Sequence, residues 1–392
     1  MLIACVGKPS VGKSTFFKAC TLADVAIASY PFTTIKPNRG TAFVSLECVD
    51  KEFNKQCNPR IGYCVNGKRF VAVELLDVAG LVENAYLGEG LGNMFLNDLS
   101  TADALIHIVD ISGSTNAKGE SVPALSYDPL NDIKFLEREL DMWYLGLVKK
   151  GWDKFLKQYR IEKGALYKAV SKQLSGLGVT EDVADEVLRS FNSDINLWTE
   201  NDLFNFIVTL RKKTKPIIIA ANKIDIDGAE ENYKRIKEQF TGYIIIPCSA
   251  DSELALREAS KAGLINYIPG EKTFEIKKEL NEKQKKALEH IQKNILDKYG
   301  STGVQEVLNK AVFDLLKYIA IFPGGVNKLT DSEGRTLPDV FLMKDGSTAL
   351  DFAYKLHTDF GKNFIRAIDV KKKMTVGKEH KLKNKDVIEI IT

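Results

Sequence analysis

At 392 residues the chain exceeds one typical hydrophobic core, so two or three domains are expected, and 44% hydrophobic residues suit a globular protein. Lysine and arginine total 55 against 52 acidic residues, and a formal charge of +3 excludes bulk attraction to a polyanion; any nucleic-acid surface must be local. No apolar run approaches the ~20 residues that span a bilayer, the start MLIACVG lacks the basic leader of a signal peptide, and six cysteines are sparse for a disulfide scaffold, so a cytoplasmic protein with free thiols is expected.

Leu2 to Val6 reads as a buried strand, and Thr15, Phe16, Phe17 and Ala19 as the helix after it. Between them lies Gly7-Lys8-Pro9-Ser10-Val11-Gly12-Lys13-Ser14. Glycines there let backbone N–H groups turn around phosphates, and the helix start favours anions. Lys13 is placed to reach the β- and γ-phosphates of a nucleotide, and the Ser14 hydroxyl to ligate Mg²⁺. Asp24 to Gly40 (DVAIASYPFTTIKPNRG) reads as a loop. Within it Phe32, Thr33 and Thr34 are expected at the nucleotide, with Thr34 as the Mg²⁺ and γ-phosphate sensor and Thr33 as the alternative.

Thr41 to Leu46 and Phe70 to Leu76 are predicted strands, antiparallel at a sheet edge. Cys48, Cys57 and Cys64 lie between them with eight and six residues separating them; a zinc site usually shows a close cysteine pair, so this spacing favours structural thiols. The second strand delivers Asp77-Val78-Ala79-Gly80, where Asp77 suits a magnesium-bound water and the Gly80 N–H suits the γ-phosphate. Gly88, Gly90 and Gly92 follow in a second segment with backbone freedom.

Ala104 to Asp110, Pro216 to Asn222 and Tyr243 to Cys248 are continuous apolar runs, which predict a mostly parallel sheet covered on both faces. His107 reads as a core histidine. Asn222-Lys223-Ile224-Asp225 and Ser249-Ala250 then supply a base site. The Asp225 carboxylate can accept from N1–H and N2–H₂ of guanine, Lys223 can lie over the base, Asn222 can tie this loop to the phosphate loop, and the Ala250 N–H can meet O6.

Between 128 and 215 helical periodicity replaces strands: Ile133, Leu136, Leu140, Trp143 and Leu147 form one seam, and later clusters include Phe155, Val187, Phe206 and Leu210. This predicts an inserted helical subdomain projecting from the sheet. Two amphipathic helices, Asn281 to Tyr299 and Val304 to Leu316, are expected to lead away from the nucleotide domain. From Tyr318 to Thr392, short strands and one helix near Ala349 to His357 suggest a β-grasp-like module. Its 371–385 segment holds seven lysines and one acid, the dense basic patch offered as an RNA contact.

Together GKPSVGKST, YPFTTIKPNRG, DVAGLV with GEGLGNMFLNDL, NKID and CSA resemble the Obg superfamily of P-loop GTPases, in particular its YchF-like branch in archaeal form. LPDVFLMKDGSTALDFAYKLHTDFGKNFIRAID resembles a TGS module. The resemblance implies an α/β fold with an Obg-type G domain over 1–127 and 216–275, the helical insert over 128–215, a helical connector over 276–317 and TGS over 318–392. It implies GTP as ligand with Mg²⁺, and association with ribosomes or RNA through the insert and the TGS module. YchF proper has an altered base motif and prefers ATP, whereas Asp225 here retains the guanine-reading carboxylate. Ser10 stands where many relatives carry an asparagine that helps hold potassium, leaving potassium activation open. Leu81 occupies the position where Ras-like enzymes carry a water-orienting glutamine, so slow intrinsic hydrolysis is expected. The alternatives are a YchF-like ATPase and an RNA-binding protein with little turnover.

Overall fold

The computed structural model describes residues 1–22, 38–78, 80, 98–162, 164–192 and 194–392. Its main sheet runs in the order β2-β4-β1-β5-β6-β7, formed by β1 (Leu2–Val6), β2 (Arg39–Glu47), β4 (Lys68–Asp77), β5 (Ala104–Asp110), β6 (Ile217–Asn222) and β7 (Ile244–Pro247), with the short β3 (Tyr63–Val65) also paired to β4. β4, β1, β5, β6 and β7 are mutually parallel, and β2 is the antiparallel edge. Because side chains alternate along each strand, Leu2, Ala4 and Val6 feed one face of the sheet and Ile3 and Cys5 the other. Both faces must therefore be covered.

The first face joins Leu105, Val109, Ile217 and Ile219 to the helical region in one continuous core. That region comprises α2 (Leu130–Glu162), α3 (Leu166–Gln173), α4 (Glu181–Leu188) and α5 (Glu200–Thr214), after α1 (Lys13–Thr21). Within α2, Ile133, Leu136, Leu140 and Trp143 are buried as the periodicity predicts, but Leu147 is 39% exposed and Tyr144 and Val148 take its place. The seam drifts because 3.6 residues per turn do not keep a seven-residue repeat on one line. Phe155, Val187, Phe206 and Leu210 extend the same cluster, so the helical region shares one core with the sheet's first face. A capping box at Thr199 and Asp202 starts α5, each side chain accepting from the other's backbone N–H.

α6 (Ala229–Gln239) and α7 (Ala250–Lys261) follow β6 and β7. β8 (Ile265–Tyr267) and β9 (Phe274–Ile276) form a small hairpin before α8 (Glu282–Ile291). The next helix, α9 (Val304–Lys310), does not lead away from the sheet as its amphipathic pattern suggested. Val304, Val307 and Leu308 pack on Ile3, Ile106 and Ile218, because the sheet's second face would otherwise stand in water. α9 also shields the edge strand: Ser45 N–H donates to Asn309 Oδ1 at 2.8 Å, and Gln305 Nε2 donates to the Phe43 carbonyl at 2.9 Å.

The C-terminal sheet has the order β11-β10-β14-β12-β13, from β10 (Tyr318–Pro323), β11 (Phe341–Lys344), β12 (Arg366–Asp369), β13 (Met374–Val376) and β14 (Val387–Ile391). α10 (Ala349–Leu356) packs Phe352 against Ile321 and Ile388 on one side. On the other side Ala320, Phe322 and Val387 join the core that contains α9.

His107 is 3% exposed on β5, and burial, assisted by the Lys8 charge, drives its pKa from 6.5 down to about 3. Because the folded value lies below the unfolded one, the stability this contributes is present above about pH 6.5 and is lost as pH falls toward 3. Urea unfolding should show stability falling between about pH 6.5 and 5, before carboxylates of ordinary pKa titrate, and His107→Met should flatten that window. Leu308→Ala should cost about 2–5 kcal/mol in the same assay.

Candidate functional site

Among the described residues, the phosphate loop, Asp77 and the Asn222–Asp225 and Ser249–Ala250 stretches lie at the carboxyl ends of the parallel strands, where an open α/β sheet ordinarily binds its ligand. Gly7, Ser10 and Gly12 have positive φ values of 156°, 65° and 90°, which wrap the loop before α1. Space as well as φ requires glycine at position 12: a Cβ there would come 2.4 Å from Asn222 Nδ2. Lys13 opens α1 with Ser14 and Thr15 in its first turn, so the loop amides and the helix start share one anion-favouring end.

Asp77 ends β4 beside this loop, and Ser14 Oγ donates to Asp77 Oδ2 at 3.1 Å. The other carboxylate oxygen, Oδ1, is buried and accepts no hydrogen bond from a described residue. Two hard oxygen donors side by side, one with an unspent lone pair, fit a magnesium ion. Val78 N–H donates to the Cys5 carbonyl at 3.2 Å, and a Cβ on Gly80 would lie 3.0 Å from Pro9 Cγ, which seats this turn against the phosphate loop. Phe32, Thr33, Thr34, Ala79 and Leu81 lie outside the described residues, as do Gly88, Gly90 and Gly92.

At the other end, Asn222 is buried at the tip of β6. Its Nδ2 donates to the Val11 carbonyl at 2.8 Å, and its Oδ1 accepts from Ala250 N–H at 2.9 Å. One carboxamide thus joins the phosphate loop to the turn carrying Ser249, whose Oγ caps α7 by accepting from Ser252 N–H. Ala250 N–H is engaged with Asn222 here, not left free for a base atom. Lys223, at φ 63°, sends Nζ to Asp110 Oδ2 at 2.9 Å and to Ser114 Oγ at 3.3 Å. Asp225 lines a cavity of about 410 Å³ together with Lys234, Lys293 and Lys298.

The Lys8 side chain is engaged inside the fold. It is 4% exposed, its Nζ pairs with Asp132 at 2.8 Å, donates to the Thr115 carbonyl at 2.8 Å and sits 3.9 Å from the Tyr127 ring centroid. The ammonium is used inside the fold, so what Lys8 offers a phosphate is its backbone. Asp110 went unnoticed in the sequence. Burial alone would raise its pKa, but hydrogen bonds from Ser112, Lys223 and Thr115 carry it below the ordinary carboxylate value, keeping a charge that fixes Lys223. Its signal was available: an acid at the end of a buried strand, followed by Ser112, Ser114 and Thr115.

Comparison with known proteins gives three family matches: 50S ribosome-binding GTPases over residues 2–138, the G4-motif domain of YGR210-like Obg-like GTPases over 220–325, and the TGS domain over 333–392. A GTP-binding protein of Methanocaldococcus jannaschii is 49% identical, covering 100% of this chain and 99% of that one. The ribosome-binding ATPase YchF of Buchnera aphidicola (subsp. Acyrthosiphon pisum) is 28% identical, covering 93% of this chain and 87% of that one. The crystal structure of a GTP-binding protein from Pyrococcus horikoshii superposes with a TM-score of 0.80 at 40% identity, covering 100% of both chains.

Asn222→Ala removes both hydrogen bonds and leaves the buried Ala250 N–H without its acceptor. Stability should fall by about 1–3 kcal/mol, read from urea unfolding, and the Ala250 amide should exchange faster with deuterium than in the parent protein.

Proposed function

The chain belongs to the YchF-like branch of the Obg superfamily of P-loop GTPases, and on that premise we propose that it binds GTP and hydrolyses it slowly to GDP and phosphate as a ribosome- or RNA-linked switch. The observation that carries this reading is the Asn222 carboxamide, which ties the phosphate loop, with its Ser14–Asp77 pair, to the turn after β7 and so to the Asn222–Asp225 base motif.

In this reading the loop amides from Gly7 to Thr15 and the Lys13 ammonium hold the β- and γ-phosphates. Ser14, Asp77 and Thr34 would hold magnesium, which supplies neutralisation of charge on the phosphate oxygens. Gly80, seated on Pro9, would offer its N–H to the γ-phosphate, and Phe32 and Thr33, which precede Thr34, would lie at the nucleotide with it. Asp225 accepts the two guanine donors; left beside adenine it would lose about 1.5–3 kcal/mol of charged hydrogen bonding. Leu81 cannot orient water, so turnover is slow until a partner supplies the missing group.

The proposed units are the G domain over 1–127 and 216–275, the helical insert over 128–215, the connector over 276–317 and the TGS domain over 318–392. Ribosome or RNA contact is assigned to the insert and the TGS domain, with support from the name of the Buchnera relative. Of the lysines in 371–385, Lys371, Lys372 and Lys385 pair with Glu52, Asp369 and Glu47, while Lys373, Lys378, Lys381 and Lys383 have no carboxylate within 4.0 Å among the described residues. The latter four are the ones left for phosphates. No described helix is long and apolar enough to cross a membrane, and the proposed location is the cytoplasm.

Lys13→Ala should abolish phosphate release from GTP in a single-turnover assay, and full activity in that variant refutes the assignment. Co-sedimentation with ribosomes should differ between GDP and a non-hydrolysable GTP analogue; equal recovery removes the switch and leaves the nucleotide site standing.

A further inference from the structure

We propose that Cys48, Asp50, Cys57 and Cys64 form a tetrahedral zinc site that fastens the 48–67 excursion of the nucleotide domain beneath the C-terminal module. Their ligand atoms, three sulfurs and one carboxylate oxygen, all lie within 4.8 Å of one another. Cys48 Sγ and Cys57 Sγ are 3.5 Å apart, and Cys64 Sγ is 3.9 Å from Asp50 Oδ2. Tetrahedral zinc with Zn–S bonds of about 2.3 Å needs its sulfurs about 3.8 Å apart, so the cluster closes on an ion with little movement.

The second observation is the carboxylate itself. Asp50 is 1% exposed, and its Oδ1 is buried with no hydrogen-bond partner among the described residues, whereas Oδ2 accepts from Cys57 N–H at 3.1 Å. A buried carboxylate with one oxygen left without a donor is costly, and a cation bound by the same carboxylate and three thiols offsets that cost. Soft sulfur donors with a single hard oxygen select zinc over magnesium or calcium. Binding releases the three thiol protons to solvent, leaving three thiolates and a carboxylate on the ion, and the buried Arg69 guanidinium beside Cys57 offsets part of the surplus negative charge. A cavity of about 740 Å³ lined by Cys48, Lys51 and Gly67 gives a route from solvent.

Sequence spacing hid the site because the ligands come from four local structures: the end of β2, a 3-10 turn over Val49–Phe53, the following loop and β3. The backbone around them holds the C-terminal module. Asn58 N–H donates to the Thr336 carbonyl at 2.8 Å, Arg60 N–H to that of Pro338 at 3.0 Å, and Arg69 to the carbonyls of Leu337 and Pro338 at 3.0 and 2.7 Å. Zinc there would fix the platform on which residues 336–338 rest.

The test is elemental analysis of the full-length protein purified under reducing conditions without a metal-affinity step. About one zinc per chain is expected, and Asp50→Asn should weaken zinc retention against a chelator at least about tenfold. Because a cysteine variant can fail to fold, the second readout uses the parent protein: replacing the metal with Co²⁺ should give thiolate-to-cobalt charge-transfer absorption and the strong visible bands of a tetrahedral site. Protein that holds less than about 0.1 zinc per chain after reduction and zinc supply, that carries iron instead, or that shows a Cys48–Cys57 disulfide by intact mass overturns the proposal.

Discussion

The Asn222 side chain is the joint on which the cleft depends. Its amide donates to Val11 in the phosphate loop and its carbonyl accepts from Ala250 after β7, so a single buried group sets the distance between the two ends of the site. Buried amides are expensive to leave unpaired, and this one has protein partners on both its donor and acceptor sides. The same turn carries Lys223, whose position is fixed by Asp110 at the end of the adjacent strand, in register with Asn222. The proposed phosphate and base sites are therefore built on neighbouring strand ends and share their supports.

A second constraint comes from the sheet. With five parallel strands it has two apolar faces, and the chain covers them with different parts of itself: the helical region on one, α9 and the C-terminal module on the other. α9 reaches the edge strand through Gln305 and Asn309, and that strand in turn supports the site, since Asp77 N–H donates to the Asn38 carbonyl at 2.7 Å. Salt bridges Lys371–Glu52 and Lys385–Glu47, both at 2.7 Å, bracket the C-terminal module to the same strand's far end. The module is held by core packing and polar contacts together, so it is a continuation of the nucleotide domain's buried surface rather than a bead on a linker.

Much of this was legible in the chain because the signals were local. GKPSVGKS sits between a five-residue apolar run and a helix, and the runs ending in Asp77, Asp110 and Asn222 are mostly apolar, interrupted by Glu74 and His107, as suits strands covered on both faces. What sequence reading missed was decided by tertiary partners. The partners of the Lys8 ammonium, Asp132 and Thr115, lie more than a hundred residues away and could not be read from the loop. The amphipathic face of 304–316 is plain, but the surface it covers is not. β13 lies inside a lysine-rich segment whose charges mask a short strand, and the Cys48, Cys57 and Cys64 sulfurs converge only because β3 folds back along β4.

The central claim is that one cleft grips a guanine at Asp225 and a triphosphate at Lys13. The measurement that tests it most directly is competition of GDP against ADP for the purified protein in one calorimetric titration. About 1.5–3 kcal/mol of charged hydrogen bonding corresponds to GDP binding roughly 10- to 150-fold more tightly than ADP. Equal affinity for the two nucleotides would contradict the role given to Asp225 and return the protein to the adenine-binding reading.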